Sequence, residues 1–225
     1  WQKEMAEIVY LDSPLESVAL YERLCPPVRK WFKDKFPDFT RPQKLAIPAI
    51  MEKQHLLLCS PTGSGKTLTA FLTVIDQLVR LAIERKLEKK VHAIYISPIK
   101  ALANDIQRNL IGPLNEITEH YLPDRAQEIR VGLRTGDTSQ SDRQTMLRNP
   151  PHILITTPES LAIAITSPRF QPIVSEVEYM IIDELHSMVS TKRGVHLSLT
   201  LSLLDSLLMN PVQRIGISAT MEPLE

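Results

Sequence analysis

Apolar residues in this chain gather in short continuous runs: 55–60, 93–97, 129–135, 152–156, 178–183 and 214–218. Runs of this length, rich in Ile, Val and Leu, predict strands buried on both faces. Between them, stretches 67–87, 101–110 and 195–208 carry apolar residues at helical spacing. Such strand–helix alternation predicts an α/β domain with a mainly parallel sheet and helices on both faces. Ligands of such sheets gather beyond the carboxyl ends of the strands. Residues 1–38 read as a short helical extension packed on a domain spanning 39–225. Leu24-Cys25-Pro26-Pro27 breaks that extension before an amphipathic stretch, 28–36. The lysine-rich stretch 85–90 reads as a solvated helix end.

Charge is balanced, with 26 basic and 26 acidic residues. A nucleic-acid partner would therefore be held by local charge and helix ends, not by a global basic field. Two cysteines, Cys25 and Cys59, make no disulfide framework, which points to a reduced, cytoplasmic setting. No apolar run is long enough to span a bilayer, so no membrane partner is expected. The chain starts at Trp1 without Met and stops just after a motif, and reads as part of a longer protein.

The chemistry is carried first by Pro61-Thr62-Gly63-Ser64-Gly65-Lys66-Thr67, between a strand run and a helix run. A Gly-bearing turn into a helix N-terminus aims backbone N–H groups at one point and favours phosphate. Lys66 adds a point charge for the β/γ-phosphates of ATP, and the Thr67 hydroxyl suits Mg²⁺. Ser60 stands where the general phosphate-loop pattern has Gly. A second signal is the strand 178–183 running into Asp183-Glu184-Leu185-His186. Adjacent carboxylates at the end of a buried strand are costly without a cation. Asp183 would hold Mg²⁺, and Glu184 would orient and deprotonate an attacking water. His186 either caps the strand or relays the state of the γ-phosphate. The hydroxyls of Ser218 and Thr220, in Ser218-Ala219-Thr220, suit exchange of bonds with the Asp183–His186 segment. Gln43 offers one donor and one acceptor, matching the edge of adenine; an ordinary surface role fits its position as well. Ser97-Pro98 and Thr157-Pro158 combine a cap residue with Pro at the first helical position. They predict helices opening at one sheet edge with free N–H groups outward, a track for a sugar–phosphate backbone or ordinary capping.

These motifs resemble motifs I, II and III of superfamily 2 helicases. Further blocks are similar to the Lhr (large helicase-related) group: Ser97-Pro98-Ile99-Lys100-Ala101-Leu102, Arg134-Thr135-Gly136-Asp137-Thr138, Thr156-Thr157-Pro158-Glu159-Ser160-Leu161 and Lys192-Arg193-Gly194-Val195-His196-Leu197. The chain departs from the group in Leu185, where Ile is more usual before His. The resemblance implies a RecA-like P-loop NTPase domain, the first motor domain of an ATP-dependent 3′-to-5′ translocase. It implies that Gln43 reads adenine, that Thr62, Gly63, Ser64, Gly65, Lys66 and Thr67 hold ATP, and that Lys66, Asp183, Glu184 and His186 serve hydrolysis. It places Pro98, Lys100, Thr135, Gly136, Thr157, Pro158 and Arg193 along the tracked strand, with single-stranded DNA favoured over RNA. A second RecA-like domain and further C-terminal domains of the full-length protein are the implied partners. The isolated chain is then expected to be nearly inactive. The rival readings are an RNA helicase of the same superfamily, a P-loop ATPase without nucleic acid, and a scaffold with a degenerate site.

Overall fold

The computed structural model describes residues 8–61, 63–98 and 105–219. Its strands are β1 Leu56–Cys59, β2 Ala93–Ile96, β3 Val131–Arg134, β4 Ile153–Thr156, β5 Tyr179–Ile182 and β6 Gln213–Ser218. They form one six-stranded sheet in the order β1-β6-β5-β2-β4-β3, with every pairing parallel. Before β1 come α1 Ser17–Arg23, α2 Pro26–Lys35 and α3 Arg41–Met51. Helix α4 Lys66–Glu84 joins β1 to β2, while a π-helical turn Gln107–Ile111 and α5 Gly112–His120 precede β3. Helix α6 Gln140–Arg148 leads to β4, α7 Pro158–Ile165 and α8 Gln171–Val174 to β5, and α9 Leu185–Met188 and α10 Lys192–Leu207 to β6.

Side chains alternate across the sheet, as strand geometry demands. Ala93, Tyr95, Ile153, Ile155, Ile181 and Ile215 join one core with α1–α5. Ile94, Ile96, Leu154, Met180 and Ile182 join the other, with α7, α8 and α10. Connections that advance across the sheet (β1 to β2 to β3) and those that return (β3 to β6) thus leave their helices on opposite faces, as right-handed crossovers require.

Three expectations need correction. The strands β1 and β3 are not buried on both faces: they are the sheet's edges, and Leu57 and Leu133 are 46% and 52% exposed. The last long helix starts at Lys192, not at 195, because Thr191 caps it: its Oγ1 accepts from Gly194 N–H at 3.1 Å. The helix expected over 101–110 falls partly on residues outside the described ones; its described part continues through the π-helical turn to His120.

Asp76 on α4 pins the N-terminal helices. Its carboxylate accepts from Cys25 N–H at 2.6 Å and from Arg80 Nε at 2.8 Å, and Arg80 also donates to Arg23 O at 2.6 Å. Asp76→Ala strands these donors and is expected to lower the free energy of unfolding by about 1–3 kcal/mol in urea titration. An unchanged midpoint would deny the pin. Among the described residues no helix is long and apolar enough to cross a membrane. Cys25 and Cys59 are free thiols, and burial beside Asp76 pushes Cys25 up to about 12.

Candidate nucleotide site and nucleic-acid face

Parallel strands end on one edge, so strand order decides which motifs meet. Strand β6 lies between β1 and β5, with Cys59 paired to Ser218 and Ile182 to Gly216. The loop after β1, the end of β6 and the acidic pair after β5 therefore stand side by side.

The loop is built for close approach. Gly63 and Gly65 take left-handed conformations, φ +82° and +85°, which glycine adopts without Cβ strain. Gly65 hands directly into α4, whose N-terminus has no side-chain cap and no acid in its first turn. Its leading N–H groups are left for an anion. Lys66 Nζ folds onto the loop, donating to Ser60 O and to Pro61 O, the latter at 2.7 Å. The hydroxyls of Ser60 and Ser64 lie 2.5 Å apart. Gln43 is buried; its Oε1 accepts from Thr40 N–H at 2.9 Å, closing the capping box of α3. Thr40 in turn donates to Ser64 O at 3.2 Å. A Cβ added at Gly65 would stand 3.1 Å from Gln43 Nε2, so the amide abuts the loop. Thr40 is a link that motif spacing did not reveal.

Asp183 is buried, and its N–H donates to Ile96 O at 2.8 Å, extending the ladder of β5 by one rung. Burial raises its carboxyl above the ordinary value, opposed by hydrogen bonds from Tyr95 and from Glu184 N–H, the latter at 2.8 Å. Glu184 takes a left-handed conformation, φ +54°, uncommon for a side chain of its size and a mark of local strain. That turn brings its Oε2 within 3.1 Å of His186 Nε2. His186 Nδ1 receives Ala219 N–H at 3.2 Å and lies 3.2 Å from Ser218 Oγ. A backbone N–H can only donate, so Nδ1 is the acceptor and the ring proton of the neutral imidazole sits on Nε2, facing Glu184. One imidazole thus connects the end of β6 to the second carboxylate.

Among the described residues no group of His, Cys, Asp and Glu converges as a metal cage. Asp183 is a single buried carboxylate with Lys66 among the charges around it, which suits instead a cation that arrives with phosphate and keeps its waters, as Mg²⁺ does.

Pro98, Thr135, Gly136, Thr157 and Pro158 follow β2, β3 and β4, on the same edge beyond the acidic pair. Thr157 caps α7, its Oγ1 accepting from Ser160 N–H at 3.3 Å. The expected free N–H row is thus partly spent at α7. Arg193, in the first turn of α10, pairs with Glu159 through two hydrogen bonds of 2.6 and 3.1 Å. That pair holds Glu159 below the usual carboxylate range. Arg143 donates to Gly136 O at 3.1 Å and Thr135 O at 3.4 Å, bracing the turn. Glu159 and Arg143 carried no signal as partners, since each pairing is made by the fold across separate elements. Thr62, Lys100 and Thr220 lie outside the described residues.

The sequence profile of the family described as "DEAD/DEAH box helicase" matches residues 40–225. The "ATP-dependent helicase Lhr-Core" of Methanocaldococcus jannaschii is 50% identical over 222 residues, covering 98% of this chain and 26% of that protein. The "ATP-dependent helicase Lhr-Core protein 2" of Thermococcus barophilus is 51% identical over 208 residues, covering 92% of this chain and 24% of its own. Among solved structures, Mycobacterium smegmatis helicase Lhr bound to ssDNA and AMP-PNP superposes with a TM-score of 0.79 at 45% identity. That match covers 89% of this chain and 25% of the other. The chain spans about a quarter of the length of these relatives. Its all-parallel sheet is the RecA-like fold of such helicase domains.

Proposed function

Because the chain belongs to the DEAD/DEAH box helicase family, we propose that it is the first RecA-like motor domain of an Lhr-type, ATP-dependent helicase. In this reading residues 39–225 bind ATP and Mg²⁺, residues 1–38 are an extension packed on them, and the second motor domain lies elsewhere in the full-length protein. Hydrolysis drives 3′-to-5′ movement along a single strand, with DNA favoured over RNA because the solved Lhr relative is bound to ssDNA. The reduced cytoplasm suits its two free thiols.

The observation that carries the reading is the meeting, across β6, of a capless helix start at Gly65-Lys66 with the buried Asp183 and the half-exposed Glu184 beside it. Lys66 leaves the carbonyls of Ser60 and Pro61 to meet the β/γ-phosphates, and the N–H groups of Thr62–Thr67 cradle them. Gln43 reads adenine from its place beside the loop. Thr67 and Asp183 hold Mg²⁺, which when bound offsets the charge of the phosphates and orients them. Glu184 takes the proton of the attacking water, held in its strained turn by His186 Nε2–H. His186 passes the state of that carboxylate to Ser218, and through it to Thr220, so that hydrolysis moves the chain after β6.

On the neighbouring edge Pro98, Lys100, Thr135, Gly136, Thr157, Pro158 and Arg193 follow the backbone of the strand. Lys100→Ala and Arg193→Ala are each expected to weaken strand binding for all sequences and to reduce the salt slope by about 1. Unchanged affinity and slope would return both to the status of surface charges.

ATPase assay of the full-length protein with single-stranded DNA, single-stranded RNA and neither tests the reading. Stimulation, larger with DNA, is expected; turnover indifferent to both strands would leave a P-loop ATPase without nucleic acid. The isolated 225 residues lack a second domain's arginine fingers, worth about 10³–10⁵ in rate in related NTPases, and are expected to turn over very slowly.

A further inference from the structure

Tyr95 belongs to no nucleotide motif, yet it touches both halves of the site. It is 1% exposed on β2, and its hydroxyl donates to Asp183 Oδ2. Its ring packs against Phe71 of α4, with centroids 4.9 Å apart and planes tilted by 36°. Phe71 lies on the helix that begins at Lys66, so one side chain spans from the phosphate-loop helix to the acidic pair. Asp183 Oδ1 is held separately by Glu184 N–H at 2.8 Å. Each oxygen of this buried carboxylate therefore has its own protein donor.

Two donors, one per oxygen, stop the carboxylate rotating and leave each oxygen only part of its accepting capacity. A cation that grips both oxygens at once would crowd both donors. A cation that takes one oxygen, or reaches it through water, would not. Mg²⁺ behaves in the second way, and Ca²⁺ with its larger, flexible shell commonly in the first.

We propose that Tyr95 is a positioning residue for the metal: through Asp183 it presents one fixed oxygen and so favours Mg²⁺ over Ca²⁺ in the nucleotide complex. The inference rests on the reading that Asp183 holds the metal of bound ATP. Second-layer partners of this kind commonly tune metal affinity by about tenfold or more.

The test is binding, not turnover. The dissociation constant of N-methylanthraniloyl-ADP is measured on the full-length protein in Mg²⁺, in Ca²⁺ and in EDTA. The wild type is expected to bind most tightly in Mg²⁺. Tyr95→Phe keeps the ring against Phe71 and is expected to lose about tenfold in Mg²⁺, to narrow the gap to Ca²⁺, and to bind unchanged in EDTA. Tyr95→Met, a second variant without the hydroxyl, is expected to show the same metal-specific loss. In an Asp183→Asn background, Tyr95→Phe should have no further effect. A Tyr95→Phe variant with wild-type metal dependence, an equal loss in EDTA, or an effect additive with Asp183→Asn would each overturn the proposal. A wild type whose binding ignores metal, or an Asp183→Asn variant that binds as the wild type does, would instead sink the reading of Asp183, and this inference with it.

Discussion

Glu184→Gln in the full-length protein is expected to lower ATP turnover by about 10²–10⁴-fold, the usual worth of a positioned general base. Nucleotide affinity should stay near that of the wild type. The amide keeps the size and much of the hydrogen bonding of the carboxylate, and it loses only the ability to take a proton. The separation follows from the proposed roles: Gly63–Thr67 would cradle the phosphates and Asp183 would hold the metal, whereas Glu184 faces His186. His186 Nε2–H can still donate to the amide oxygen, so the left-handed turn at Glu184 persists in the variant. Rapid-quench turnover alongside equilibrium nucleotide binding checks both halves. Turnover equal to the wild type would remove Glu184 from its role; loss of binding alongside turnover would show that it shapes the cradle.

Gly194→Ala is expected to be the most damaging single methyl in the described chain. A Cβ there would meet Met188 O at 2.2 Å and Met188 C at 3.0 Å, both backbone atoms that cannot swing aside. Met188 O is already shared by Thr191 N–H at 3.1 Å and Thr191 Oγ1 at 2.7 Å. The first turn of α10 must therefore lift away from α9, taking Arg193 with it. The cost is placed at about 3 kcal/mol, or about 6–12 °C in Tm for a domain of this size. Gly216→Ala makes a contrast: its methyl would meet the tips of Leu185 and Leu57 at 2.5 and 3.0 Å, flexible groups that can repack. It should cost about 1 kcal/mol. Differential scanning calorimetry of both variants decides. Equal losses, or a Gly194→Ala shift of under about 2 °C, would show that α9 and α10 part more easily than their contact implies.

The contrast between these glycines marks what the sequence could and could not disclose. The strands were legible because their apolar runs are continuous, and their ends fall within a residue or two of expectation. Their order was not, which is why Leu57 and Leu133 were expected inside and stand at sheet edges. Helix α6 went unread because none of its residues is buried, so it carries no apolar stripe. The start of α10 was hidden because Lys192-Arg193-Gly194 reads as a loop, and only the cap by Thr191 reveals the helix. The residues proposed to hold ATP were chosen from types and spacing, since phosphate and magnesium demand those types. What supports them could not: Tyr95 meets Asp183, Thr40 meets Ser64 and Glu159 meets Arg193 through register and packing, 24 to 88 residues apart.

The most direct measurement is a crystal structure with AMP-PNP and Mg²⁺. The triphosphate should lie along Gly63–Thr67 with Lys66 turned onto it, and the metal between Thr67 and Asp183. A nucleotide bound elsewhere, or a loop still closed by Lys66 on Ser60 and Pro61 with Asp183 facing no cation, would contradict the account.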